Sequence, residues 1–300
     1  MIAIRKILCP VDASEFSKRA LDHAVALARW YDAGISILNV TSAVPAAADA
    51  VGGEWYVPLA PVERDRILTW LQDLAATARA AGVRVDFRAV EGLPVAGILQ
   101  EAKALPADLV VMGTHGRSGF DRLALGSVTE KVLRRASCPV LTVSQCEVPT
   151  HRSGRPPFES IVCPVDFSSS SIRAVEYSLS LAQEAFGRLT LMHAVEQFSP
   201  EENLTLARFD LGAYHQAVEQ AAAERLNGIL PVGVRDWCKP ECVVSRGKAY
   251  RAILEIAEQS AADLIVIGVH GRNPLDLAVF GSTTHHVVRE AHCPVLVVRS

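Results

Sequence analysis

The pattern most able to do chemistry is Gly113-x-x-Gly116, nine residues, then Gly126-Ser127. Glycines allow backbone N–H groups to approach an anion closely. A helix opening at Ser127 would add oriented N–H donors and the positive end of its dipole. Ser127 offers a hydroxyl to a ligand, or a cap to the helix. His115 lies inside the loop, where it could meet a phosphate, act as a general base, or stand in solvent. No lysine follows the glycines, so this is not the common Gly-x4-Gly-Lys-Ser/Thr phosphate loop. Taken once, the pattern reads better as a tight turn plus a helix cap than as an anion site. It occurs twice, however: Gly268, His270, Gly271, Gly281 and Ser282 repeat it at an offset of 155. Asp12, closing Lys6-Ile-Leu-Cys-Pro-Val-Asp12, returns as Asp166 at an offset of 154. Such a carboxylate can accept a hydrogen bond from an amino or hydroxyl group of a ligand, or cap the helix that begins near Ser14.

The elements positioning these residues alternate. In the first copy strands are expected at Arg5–Cys9, Ile35–Val40, Val83–Val90, Asp108–Met112 and Val140–Val143. Helices are expected from Ser14, with Phe16, Ala20, Ala24, Leu27 and Tyr31 at helical spacing, then at Pro61–Ala81, Val95–Ala104 and Ser127–Arg135. The strands are short, continuous apolar runs, as expected of strands buried on both faces. Alternation of such strands with helices predicts a doubly wound parallel sheet. The second copy repeats the order, giving a first domain at 1–145, a linker at 146–158 rich in Pro and Gly, and a second domain at 159–300. The long insertion around Ala43–Pro61 and a shorter one around Gln197–Asn203 interrupt the alternation. A doubly wound sheet binds ligands at its switch point, beyond the strand carboxyl ends. Asp12 and the Gly113 loop share one crevice if strands one and four are neighbours.

Val-Asp-x-Ser after strand one, Gly-x2-Gly-x9-Gly-Ser after strand four, and Cys-Pro-Val-Leu on strand five resemble the universal stress protein family, twice over nearly the whole chain. The resemblance implies two tandem five-stranded sheets of order 3-2-1-4-5, of the adenine-nucleotide alpha-hydrolase-like kind. It implies ATP or another adenine nucleotide as ligand, with or without Mg. The family's ATP-binding members hold adenosine on residues matching Asp12 and Val40, and phosphates and ribose on those matching Gly113, Gly116, Gly126 and Ser127. In the second copy the matches are Asp166, Ala194, Gly268, Gly271, Gly281 and Ser282, with a smaller adenine wall at Ala194. Arg117-Ser118-Gly119 becomes Arg272-Asn273-Pro274, and Arg122 becomes Leu277. The second loop is stiffer and has one cation fewer, so tighter binding is expected in the first copy. Single-domain relatives pair through strand five. The apolar edges Val140–Val143 and Val295–Val298 are therefore expected to cover each other within the chain, and a homodimer of whole chains is a further expectation.

Composition narrows the function classes. A net charge of −3 gives no basic surface for nucleic acid. No apolar run is long enough to span a membrane, and no leader is evident, so a cytoplasmic protein is expected. Seven cysteines make no disulfide framework. Cys9, Cys138, Cys163 and Cys293 each precede a proline and read as small buried hydrophobes. Cys238-x3-Cys242 and the His285-His286 and His292 group, present in the second copy alone, lack good metal-ligand spacing. The reading is an adenine-nucleotide-binding stress-response or signalling module with at most slow hydrolysis. Its rivals are an ATP-hydrolysing enzyme on the same fold and a scaffold that binds no nucleotide.

Overall fold

The structure, a computed structural model, describes residues 2–41, 44–45, 56–57, 59–116, 125–144, 156–195, 211–269 and 281–299. Two compact units divide the chain: Ala3–Gly154, and Arg155–Ser300 together with the first two residues. The first unit contains β1 (Lys6–Pro10), α1 (Glu15–Tyr31), β2 (Gly34–Thr41), α2 (Pro61–Ala80), β3 (Arg84–Glu91), α3 (Pro94–Ala104), β4 (Leu109–Gly113), α4 (Ser127–Arg135) and β5 (Val140–Val143). The second contains β6 (Ser160–Pro164), α5 (Ser169–Ala185), β7 (Arg188–Val195), α6 (Leu211–Ile229), β8 (Lys239–Arg246), α7 (Ala249–Gln259), β9 (Leu264–Gly268), α8 (Ser282–Glu290) and β10 (Val295–Val298). Val44–Pro45 and Tyr56–Val57 also pair antiparallel within the long insertion.

Within the first unit the strand order is β3-β2-β1-β4-β5, and within the second β8-β7-β6-β9-β10, all parallel. The expected 3-2-1-4-5 order holds in both, and β1 does lie beside β4, with Ile7 opposite Leu109. Ile7, Leu8 and Cys9 are wholly buried, as Leu264, Ile265 and Val266 are in the second unit. Their continuous hydrophobicity thus reports burial on both faces of a central strand. Right-handed crossovers place α1 and α2 on one face of the sheet and α3 and α4 on the other. In agreement, α1 packs on β1 and β4, α2 on β3, and α3 against α4.

Local sequence fixes the element ends. Ser14 is the N-cap of α1 and accepts from Ser17 N–H, and Ser168 caps α5 in the same way through Ser171 N–H. At the amino edge of the sheets one carboxylate organises each first strand. Asp108 Oδ2 accepts from the N–H groups of Arg5 and Lys6 at 2.8 and 2.9 Å. Asp263 accepts from Glu159 and Ser160 at 2.7 and 3.0 Å.

A size exchange distinguishes the two units beside β2. A Cβ placed on Gly97 of α3 would meet Val40 Cγ1 and Cγ2 at 2.9 and 3.0 Å. The Val40 side chain therefore packs against α3, filling the space a glycine leaves. In the second unit the matching residues are Ala194 and Ala252, a smaller side chain facing a larger one. The exchange has the form of a packing compensation. Gly97→Ala alone is expected to destabilise the first unit by ~1–2 kcal/mol, an overpacking cost partly offset by better helix propensity. Adding Val40→Ala should restore most of that loss. Urea unfolding of the single and double variants decides it, and an additive or worse double variant contradicts the exchange.

Candidate functional site

The crevice is built from the last residues of β1. Val11 N–H donates to Leu38 O at 2.8 Å, and Asn39 Nδ2 donates to Val11 O at 2.8 Å. The chain is thus fastened to β2 up to the residue before Asp12. It then turns through Ala13, which has φ +63°. The turn is held by Asp12, whose Oδ1 accepts from Ser14 N–H at 3.1 Å and Ser14 Oγ at 2.6 Å. Asp12 therefore does not cap α1; it orients the serine that does. The second unit repeats this with Asp166, Ser168 and Phe167, the last at φ +65°. His193 takes the place of Asn39, its Nδ1 donating to Val165 O at 2.6 Å. Phe167 packs against His193 with the rings tilted at 47° and their centroids 4.9 Å apart, and the Arg225 guanidinium lies 3.9 Å over the Phe167 ring.

The loop after β4 leaves and returns through a closed neck. Thr114 N–H donates to Val143 O at 3.0 Å, Gly126 N–H to Thr114 O at 2.9 Å, and Thr129 Oγ1 to Gly113 O at 2.8 Å. Thr284 Oγ1 repeats the last contact on Gly268 O at 2.9 Å. A Cβ on Gly116 would fall 2.6 Å from Asp12 Oδ2. The carboxylate of one strand end and the bare backbone of the other loop therefore touch. On Gly126 a Cβ would meet Thr114 O at 3.0 Å, so a side chain there would press on the neck.

Gly126, not Ser127, is the N-cap of α4, and Gly281 is that of α8. This corrects the expectation that Ser127 caps the helix. Ser127 is the first helical residue and is exposed, so its hydroxyl and the opening N–H groups of α4 point out of the helix end. His115 Nδ1 lies 3.0 Å from Thr114 Oγ1 and its ring 5.0 Å from that of Phe16. Its Nε2 is buried and has no hydrogen-bond partner among the described residues.

Asp12, Gly113, His115, Gly116, Gly126 and Ser127 thus meet at one sheet edge. Val40 lies near the end of β2, its side chain against α3. Asp166, Ala194, Gly268, Gly281 and Ser282 occupy the matching positions of the second unit. His270, Gly271, Pro274, Leu277, Arg117, Gly119 and Arg122 lie outside the described residues, as do most of the linker and of both insertions. Asn39, His193, Thr129, Thr284 and Phe16 were not singled out as site residues, although Thr129 and Thr284 stand at the same 155-residue offset as the glycines.

An anionic ligand carrying a hydrogen-bond donor fits this arrangement. The bare glycine backbones and the α4 terminus suit phosphate, and Asp12 suits an amino or hydroxyl donor. The nearby thiols are not nucleophiles. Burial pushes Cys9 far above the usual thiol range, aided by the Asp22 carboxylate, and pushes Cys163 up to about 12. Burial likewise raises Cys138 to about 11. Among the described residues no group of three His, Cys, Asp or Glu side chains could hold a metal ion. No described helix is long and apolar enough to cross a membrane.

Comparison with known proteins agrees with the geometry. The model of the "Universal stress protein family" matches residues 3–144 and again 157–299. A universal stress protein of Methanocaldococcus jannaschii is 33% identical over 141 residues, 47% of this chain and 82% of that protein. One of Mycobacterium tuberculosis is 32% identical over 199 residues, 64% of this chain and 62% of that protein. A universal stress protein structure from Archaeoglobus fulgidus aligns with a TM-score of 0.67 at 23% identity, covering 98% of this chain and 96% of that one.

Proposed function

The chain belongs to the universal stress protein family as a tandem of two such domains, and from that premise we propose that it is a cytoplasmic adenine-nucleotide-binding stress-response or signalling protein. ATP is the proposed ligand. The observation that carries this reading is the convergence of Asp12 Oδ2, the Gly116 backbone and the α4 terminus on one crevice where strand order reverses. Asp12 would accept from the adenosine part and the β2 end near Val40 would face the base. Gly113, Gly116, Gly126 and Ser127 would hold phosphates and ribose. When bound, the nucleotide supplies a hydrolysable phosphoanhydride. The chain's own residues bind and orient it, and His115 offers its buried Nε2 to a phosphate oxygen. The second domain would use Asp166, Gly268, Gly281 and Ser282, more weakly because Pro274 and Leu277 replace an adaptable and a cationic loop residue. Pairing of the two apolar strand-five edges belongs to the same proposal.

The test is to denature the purified chain, identify any nucleotide released, and titrate the emptied protein with ATP, AMP and cyclic AMP. ATP is expected to bind with the highest affinity and to turn over at a rate near that of buffer. A chain that carries and binds no adenine nucleotide is a scaffold, and robust steady-state hydrolysis makes it an enzyme. Either result overturns the proposal.

A further inference from the structure

Beside the crevice a second concavity opens in the first domain, at the carboxyl ends of β2 and β3. Its volume is about 360 Å³, and its walls include Thr41, Leu59, Arg64, Ile67, Ala89 and Glu91. That size lies at the lower end of the range used for small-molecule sites, ~300–1,000 Å³. Leu59, Ile67 and Ala89 give it an apolar lining. Arg64 and Glu91 bring opposite charges to the same space, yet no ion pair closes between them in the structure.

The second domain treats the same corner differently. Strand register pairs Thr41 with Glu91 in the first domain and Val195 with Arg246 in the second. Val195 has no hydroxyl. Arg246 is bonded to Glu219 of α6, the helix that occupies the place of α2. There the two charges, with their signs exchanged, satisfy each other. In the first domain both are presented to the cavity.

Thr41 connects the cavity to the site already described. Its Oγ1 donates to Asn39 Oδ1 at 2.8 Å, and Asn39 Nδ2 donates to the carbonyl of Val11, the residue before Asp12. With its proton given to Asn39, the Thr41 oxygen faces an occupant as an acceptor.

We propose that this cavity binds a small aliphatic zwitterion. Its anionic group would pair with Arg64, its ammonium with Glu91 and Thr41 Oγ1, and its hydrocarbon body would lie on Leu59, Ile67 and Ala89. A zwitterion pairs both side chains, whereas a singly charged molecule pairs one and leaves the other, which is exposed, to solvent. The site stands independently of the nucleotide reading, because none of these six residues is assigned to the nucleotide.

The full-length chain is titrated calorimetrically with leucine and with 5-aminovaleric acid, and with valeric acid and pentylamine as singly charged controls. At least one zwitterion should bind, at one site per chain and about tenfold or more tighter than either control. Leucine or aminovalerate as the better ligand reports whether the charges must be adjacent or separated. Arg64→Gln and Glu91→Gln should each weaken that zwitterion about tenfold with unchanged circular dichroism. The proposal is overturned if neither zwitterion binds, if a control binds equally well, or if the variants bind as the natural chain does.

Discussion

Asp12→Ala is expected to weaken ATP binding at the first domain by about ten- to a hundredfold while leaving the fold intact. Removing a hydrogen bond to a charged group costs ~1.5–3 kcal/mol, and each 1.4 kcal/mol is about a tenfold change. The fold should survive because the carboxylate orients Ser14 but does not itself make the cap bond. Ser14 Oγ accepts from Ser17 N–H at 3.2 Å, and Val11 stays fastened to β2 through Leu38 and Asn39. Asp12 instead presents Oδ2 to the Gly116 backbone, at the point where the two loops meet. Calorimetric titration of the full chain separates the two domains when Asp166→Ala is measured in parallel. Asp12→Ala should remove the tighter class of site, and Asp166→Ala the weaker. Unchanged affinity with native circular dichroism removes Asp12 from the binding site. Loss of the tighter class in Asp166→Ala reverses the assignment of the domains.

Much of this crevice was legible in the sequence because repetition filtered the noise. One glycine pair after one strand signifies little, but Gly113, Gly116, Gly126 and Ser127 recurring after a matched strand do not arise from turn chemistry alone. The buried strands were legible for a different reason: β1, β4, β6 and β9 are wrapped on both faces, so their hydrophobicity has no alternation to misread. Boundaries shifted by about one residue, as at β1, expected from Arg5 and found from Lys6. What remained illegible was contact across elements. That Val40 fills the space of Gly97 needs the crossing of β2 with α3, which no local pattern encodes. Equally, Ser127 resembled a helix cap by residue type. The backbone turned one residue earlier, because Gly126 must already be bonded to Thr114 O to close the loop neck. The cavity between Arg64 and Glu91 joins residues 27 positions apart, and only the packing of α2 on β3 brings them together.

Gly113→Ala should be the most damaging single-methyl change near the site. Gly113 ends β4 beneath the first turn of α1, where an added Cβ would meet Phe16 Cβ at 2.7 Å and the Phe16 carbonyl carbon at 2.9 Å. Backbone atoms cannot swing aside as the end of a long side chain can, so α1 must lift or β4 must bend. Overpacking of this kind costs ~1–3 kcal/mol, or more where the obstacle is rigid. For a unit of this size that corresponds to a fall of roughly 5–10 °C in Tm. Phe16 lies two residues beyond Ser14, so the same displacement would shift the serine that holds Asp12 and weaken ligand binding along with stability. Gly268 stands in the equivalent place, its added Cβ meeting Ser170 and the backbone of Ser171 at 2.8–2.9 Å, and should behave alike. Gly228 provides the contrast. It lies in α6 with open space around its added Cβ, so Gly228→Ala should melt at or above the natural chain, gaining up to ~1 kcal/mol of helix propensity. Scanning calorimetry of the three variants settles the matter. If Gly113→Ala melts with the natural chain, α1 does not approach β4 as closely as the architecture of the site requires.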